Sequence, residues 1–481
     1  MKLFVLLIGC GFCVGIFWTE SEATETGAPL ADAIKVNDRP TALALIEQGV
    51  DVNGVQVDGM TALHWAVYHD DAELTKRIIA AGADVTSTNR YGVAALSIAC
   101  QNGNTEIVER LLDAGANPNT TLRGGETALM TAARTGRIGP VRALLAFGAD
   151  PNAQELHGQT AIMWAAAEGN VAVVDALIAA EADFRTPLES GFTPLFFAVR
   201  EGRTDVALRL IGAGIDINCM AIPQKASSNG LRAYITPLIL ATENGHFELA
   251  ARLLEEGADP NADRCGFTAL HAITWVRKPI RGDGDPPPIG SGSLSSLDLV
   301  KKLAAKGADV NALHGNKKSG GSGLNRNGAT PFLLAAETGD LALMRLLIEL
   351  GANPQVPNVD HSTPLLAACG VGVLANGDDS AGTEEEAIQA VRLLLELGAD
   401  INAVDDAGNS AMHGAAYESR TRLVKFLAEN GADIKIWNRK NKRGWTPLLI
   451  AEGHRPGNFR PSPDTIVAIQ RAMRAADAEH R

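Results

Sequence analysis

The chain has 481 residues, is 46% hydrophobic but only 5% aromatic, and carries a formal net charge of −13. That acidic balance excludes general nucleic-acid binding, which needs basic surface to neutralise phosphates. The apolar mass is mostly Ala and Leu, which suits small, closely packed helices with little room for large rings.

The first predicted element is an export leader, residues 1–23. Lys2 precedes an apolar run from Leu3 to Trp18, and Ser21 and Ala23 supply a small-residue cleavage site. The run is short of the ~20 residues that span a bilayer. Two alternatives stay open: an uncleaved anchor, and a lipidated Cys10 after Leu7-Ile8-Gly9. The expected location is periplasmic or secreted.

Residues 24–58 read as a degenerate helix pair, Leu30 to Val52, that caps the N-terminal end of a repeat array. From Gly59 the chain repeats every 33 residues, at Gly92, Gly125, Gly158 and Gly191. A fixed period of this size predicts a stack of identical small units and overrides a length-based domain count. Each unit opens on a phrase such as Thr61-Ala-Leu-His64, Thr193-Pro-Leu195 or Thr363-Pro-Leu365. Threonine there caps a helix start, and proline just inside wastes no donor. Most units close on Gly-Ala-Asp or Gly-Ala-Asn, as at Gly82, Gly115, Gly257, Gly351 and Gly431, where glycine supplies a left-handed stop. Second helices show the helical period, as in Ile107, Val108, Leu111 and Leu112.

Insertions at 219–233, 276–296, 314–327 and 370–386, with an irregular stretch at 454–462, interrupt the period. Gly, Pro and Asn predict that these are loops. By position, 276–296, 370–386 and 454–462 share one edge in alternate units, about 20 Å apart if each helix layer takes ~10 Å, with room between them. Residues 444–481 read as a C-terminal cap with a basic tail: 434–481 holds ten Lys/Arg against four Asp/Glu.

Cys100 and Cys369 replace a small residue in helical Ala-Ala positions and read as buried thiols. Cys219 and Cys265 lie in loops of successive repeats, where an exported chain could oxidise a pair. No Cys or His spacing suits a metal, and no hydrolase, zinc-protease or phosphate-loop motif occurs. No cofactor is expected. Arg281-Gly282-Asp283, the oxygen-rich pairs Asp283/Asp285 and Asp378/Asp379, and the sequon at Asn119 are short matches that carry little weight.

The repeated phrase resembles the ankyrin repeat, over nearly everything after the leader. The resemblance is to large exported bacterial ankyrin proteins, and implies an all-α solenoid of about twelve repeats, with 59–443 as its body. It also implies protein binding through the concave face: the exposed end of each first helix and the hairpin tips. The matching helix-end positions are Tyr68, His69, Gln101, Arg134, Glu168, Arg200, Glu243, Trp275, Glu337 and Tyr417. The tip positions include Met60, Tyr91, Phe192, Phe267 and Trp445. Tyr and Trp at such places are typical anchors. Trp65 and Trp164 occupy the inward leucine position and read as core. His64, His271 and His413 hold the family's structural histidine position. The expected protein is a monomeric, non-enzymatic scaffold with a protein partner, no nucleic acid and no stable membrane span after leader removal. The alternative is a pocket built by the loops from Trp275, Arg277, Asp283, Asp285, His454 and Arg455.

Overall fold

A computed structural model describes residues 27–224, 233–278, 288–315, 324–372, 382–454 and 460–479. The leader with Cys10, the Arg281-Gly282-Asp283 and Asp283/Asp285 matches, Asp378/Asp379 and Arg455 lie outside the described residues. Among those described, every regular element is a helix, and twelve helix pairs follow one another from Pro29–Lys35 with Arg39–Glu47 to Pro447–Ala451 with Pro463–Glu479. One extra short helix, Ile434–Trp437, precedes the last pair. The chain divides into two compact units, one ending at His157 and the other beginning at Gly158.

The period glycines share one cause. Gly59, Gly92, Gly125, Gly158 and Gly191 have φ of 81°, 79°, 79°, 80° and 85°, a region that side chains disfavour. At Gly191 a Cβ would also collide with the backbone of Ile222. The turns at Gly92 and Gly125 are hairpins reduced to isolated antiparallel bridges, Thr88 with Ala94 and Thr121 with Thr127. Neighbouring tips are tied by backbone bonds: Arg90 N–H donates to Asp58 C=O (3.0 Å) and Val359 N–H to Asn327 C=O (3.0 Å).

Helix ends obey local rules. Thr127, Thr330 and Thr446 accept N–H bonds from Met130, Leu333 and Leu449, and Pro194, Pro237, Pro331, Pro364 and Pro447 stand at the first helical turn. Gly82, Gly115, Gly257 and Gly351 stop second helices with φ of 94° to 99°. Glu181 takes the same role at φ 61° where the glycine is missing.

Stacking buries what the periodicity marks: Ile107, Val108, Leu111 and Leu112 are at most 3% exposed. A second tie between repeats is an asparagine ladder. Asn261 Nδ2 donates to Gly307 C=O (2.8 Å) while its Oδ1 accepts from Asp309 N–H (2.7 Å). Asn53, Asn119 and Asn402 do the same for the repeats that come after them. Each rung fills an orphan carbonyl at a helix end. Replacing Asn261 by Ala is expected to cost about 1–2 kcal/mol in a urea titration; no loss would show the rung to be incidental.

Candidate partner-binding site

In each repeat, one residue at the end of the first helix occupies the same register. In the first unit these are Tyr68, Gln101 and Arg134; in the second they include Arg200, Glu243, Trp275, Glu337, Gly370 and Tyr417. In the first unit, Tyr68 (59% exposed) and Tyr91 (52%) reach solvent. Tyr68 packs edge-on against Trp65 and His69 at 5.5 and 5.4 Å. His69 is half-buried and Gln101 exposed, and Arg134 pairs with Glu126 at 3.7 Å.

Within the second unit, Glu168 and Arg200 are exposed. Arg200 lies over Phe197 (5.1 Å) and pairs with Glu201 (2.8 Å). Trp275 is half-buried, and its indole N–H donates to Glu243 Oε1 of the preceding repeat (3.3 Å). Tyr417 and Trp445 are half-buried, meet at 6.5 Å, and carry Arg443 over the Trp445 ring at 5.6 Å.

Four expected contact residues are instead buried. Met60 is 9% exposed, Phe192 8%, Phe267 4% and Glu337 6%. The tip aromatics turn inward because their own first helices offer ring partners. Phe192 stacks on Phe196 at 5.4 Å; Phe267 meets Trp275 edge-on at 5.0 Å and stacks on His314 at 5.9 Å. Glu337 loses its water among packed first helices, and that desolvation pushes its carboxyl up to about 7 against the pull of Arg326. Conversely, Trp65 and Trp164, expected in the core, are half-buried. Trp65 stays at the surface because its indole N–H needs a partner, which Gln56 Oε1 provides at 2.8 Å.

The family histidines hold repeats together. His64, His271 and His413 face backbone carbonyls through Nε2, at Val93 (3.0 Å), Ala329 (3.1 Å) and Arg439 (3.1 Å). A carbonyl only accepts, so Nε2 carries the proton. Nδ1 is then the acceptor, facing the backbone N–H of Thr61, Thr268 and Ser410. Burial holds all three below the ordinary imidazole range, His271 and His413 down to about 4.

Cys100 and Cys369 are buried thiols pushed up to about 12 by desolvation. Cys219 and Cys265 are half-buried and unpaired with each other; the Cys265 thiol donates to Phe267 C=O (3.2 Å).

The insertions make contacts that the period does not announce. The expected separation of 276–296 from 370–386 fails at their edges, because Lys278 Nζ reaches Glu386 Oε1 at 2.6 Å. It does so by crossing the intervening repeat, whose Thr338 and Gly339 carbonyls accept from the same ammonium at 3.5 and 3.4 Å. Next to it Arg277 forms a bidentate pair with Asp340 (2.6 and 3.1 Å) and donates to Ser296 Oγ (2.6 Å). Arg277 is therefore committed to structure, away from the pocket role that sequence offered as the alternative; His454 of that set is exposed.

The far end of 276–296 lies on the turn at His246. Ser291 N–H donates to His246 Nδ1 (2.9 Å) while Nε2 faces Arg200 C=O (2.9 Å). Ser291 Oγ is also 3.0 Å from Nδ1. The one Nδ1 lone pair is already taken by the amide, so this Ser–His contact lacks a free general base. Beside it lies a cavity of about 620 Å³ lined by Glu168, Arg203, Asp205, Glu248, Arg252 and Ser291, among others. The His246 and Lys278 contacts escape sequence reasoning, because each involves an inserted segment that occurs once.

Comparison with known proteins agrees with the architecture. The model for ankyrin repeats (3 copies) matches residues 30–122, 63–155, 129–221 and 381–457, and the single ankyrin repeat matches 234–264 and 327–359. The mouse B-cell lymphoma 3 protein homolog is 31% identical over 132 residues, 27% of this chain and 26% of its own. The human neurogenic locus notch homolog protein 1 is 30% identical over 190 residues, 39% of this chain and 6% of its own. The probable 26S proteasome regulatory subunit p28 of Saccharomyces cerevisiae is 28% identical over 130 residues, 27% of this chain and 51% of its own. The chain thus spans about half or less of each of these relatives. The crystal structure of the human ASB11 ankyrin repeat domain aligns with TM-score 0.43 and 21% identity, covering 55% of this chain and 100% of that one. With the family model matching more than half of its residues, this chain belongs to the ankyrin-repeat family.

Proposed function

We propose that the chain is an exported, non-enzymatic scaffold that binds a partner protein through its first-helix ends and hairpin tips. Ankyrin repeats generally mediate protein–protein interaction. The observation that carries the reading for this chain is the register row itself: exposed or half-buried Tyr68, Tyr91, Arg200, Trp275 and Tyr417 stand at the same two places in their separate repeats. Large amphipathic side chains bury much area at low entropic cost and anchor interfaces. Phe192 and Phe267 are withdrawn from the contact set by their burial.

A photo-cross-linking residue placed at Tyr68, Arg200 or Tyr417 is expected to trap one partner species in the native cell. The same probe at Lys301 or Glu349, exposed on second helices, is expected to trap none. Equal yields at both sets, or none at the first, would sink the scaffold reading.

Export rests on the leader composition alone. The mature protein is expected to begin after Ala23, and N-terminal sequencing that recovers Met1 would refute cleavage. No helix among the described residues is long and apolar enough to cross a membrane.

A further inference from the structure

We propose that Trp275, Glu337 and the apolar floor beside them form a seat for an arginine side chain of the partner protein, which enters by displacing Arg326. This deepens the scaffold reading and rests on it.

Trp275 and Glu337 hold the same register in consecutive first helices, Ala269–Arg277 and Pro331–Glu337. The floor is apolar: Ala329, Leu333, Leu334 and Ala367 are fully buried, and Trp275 and Leu324 pack against them. Glu337 is only 6% exposed, and its Oε2 is shut from solvent with no hydrogen-bond donor. A buried carboxylate oxygen without a donor is costly, and a native fold that keeps one has a vacancy for a donor.

The resident cation fills that vacancy only in part. Arg326 places its guanidinium 5.8 Å from the centre of the Trp275 ring. It also pulls electrostatically on Glu337. Yet among the described residues it donates no hydrogen bond to that carboxylate. It therefore has the aromatic face without the fork. A guanidinium offers both a planar surface for an indole and paired donors for a carboxylate, which an ammonium does not. An arginine arriving from outside can satisfy both groups at once. The chain's own acidity, −13 overall, favours the approach of a basic partner.

The test uses the full chain and a defined probe, an acetylated and amidated Gly-Arg repeat peptide, with its citrulline counterpart as the neutral isostere. Affinities are measured by calorimetry near physiological ionic strength. Arg326→Ala is expected to tighten the arginine peptide about tenfold by removing the competitor. Glu337→Gln is expected to weaken it about tenfold. Glu349→Gln, an exposed charge on a second helix, is expected to change it less than about twofold. The citrulline peptide is expected not to bind measurably. Glu337→Gln removes a buried charge, so it preserves folding, and circular dichroism checks each variant.

Equal effects of Glu337→Gln and Glu349→Gln would reduce the binding to diffuse attraction and overturn the seat. Weaker binding by Arg326→Ala, or equal binding of the citrulline peptide, would overturn it too. If the peptide ignores Glu337 while cross-linkers at Tyr68, Arg200 and Tyr417 still trap a partner, the seat alone falls. If those cross-linkers trap nothing, the scaffold reading falls with it.

Discussion

Arg277→Ala is expected to destabilise the second unit by about 3 kcal/mol, the largest single loss from any side chain in the insertions. Asp340 is 3% exposed and Arg277 19%, so the pair is nearly sealed. Deleting the guanidinium leaves a buried carboxylate with only the Leu343 N–H at 3.2 Å and a helix start to hold it. The neighbouring pair supplies the comparison. Lys278 and Glu386 are 26% and 37% exposed, so water screens them. Lys278→Ala is expected to cost under about 1 kcal/mol. Urea titrations of both variants decide the matter: an Arg277→Ala loss no greater than that of Lys278→Ala would show that Asp340 is not dependent on its partner. Asp340 sits at the start of the second helix of repeat nine, so the pair fixes where the 276–296 insertion leaves the stack.

Acidification from pH 7 to 4 is expected to weaken the second unit by about 3 kcal/mol through its buried histidines and one opposing glutamate. His271 and His413 are held near 4 by burial, below the ordinary value of 6.5. The unfolded chain therefore binds protons that the folded chain refuses. The stability these residues lend is whole above about 6.5 and is lost as pH falls towards 4, about 3 kcal/mol for each. Glu337 acts in the opposite sense. Its folded value near 7 exceeds the ordinary 4.5, so the folded chain takes up a proton first and gains about 3 kcal/mol as pH falls through the same window. Two histidines outweigh one glutamate. In Glu337→Gln the opposing contribution disappears, so the acid loss is expected to double, and the variant is expected to be the more stable one near pH 8. Urea midpoints followed across this range test both statements. A flat profile, or an acid loss unchanged by Glu337→Gln, would contradict the assigned protonation states. His64, shifted in the same direction, adds a parallel loss in the first unit.

Much of this molecule was legible residue by residue. The period glycines marked turns because glycine takes their positive φ at little cost, and at Gly59 and Gly191 a neighbouring backbone also leaves no room for a Cβ. Thr330, Pro331 and Gly351 marked a helix start and a helix stop because caps are local. Leu343 and Leu347 marked the buried face because stacking leaves that stripe nowhere else to go. His271 was readable as structural from its place in the phrase.

The candidate site was legible only as a register. Position alone could not tell exposed Arg200 from buried Glu337, because burial depends on what the adjoining loop delivers, and the loop before repeat nine delivers Arg326 and Leu324. Phe267 looked like a tip anchor until His314, from the inserted loop that follows the same repeat's closing phrase, took its ring face.

The repeat, its caps, its turns and its stacked core are written in the order of the residues, since each is set within one unit or between identical neighbours. Where the insertions land, and which carboxylates lose their water, emerges only once the chain is folded. The Arg277–Asp340 and Lys278–Glu386 pairs join residues 63 and 108 positions apart. No periodic rule reaches contacts made by segments that occur once.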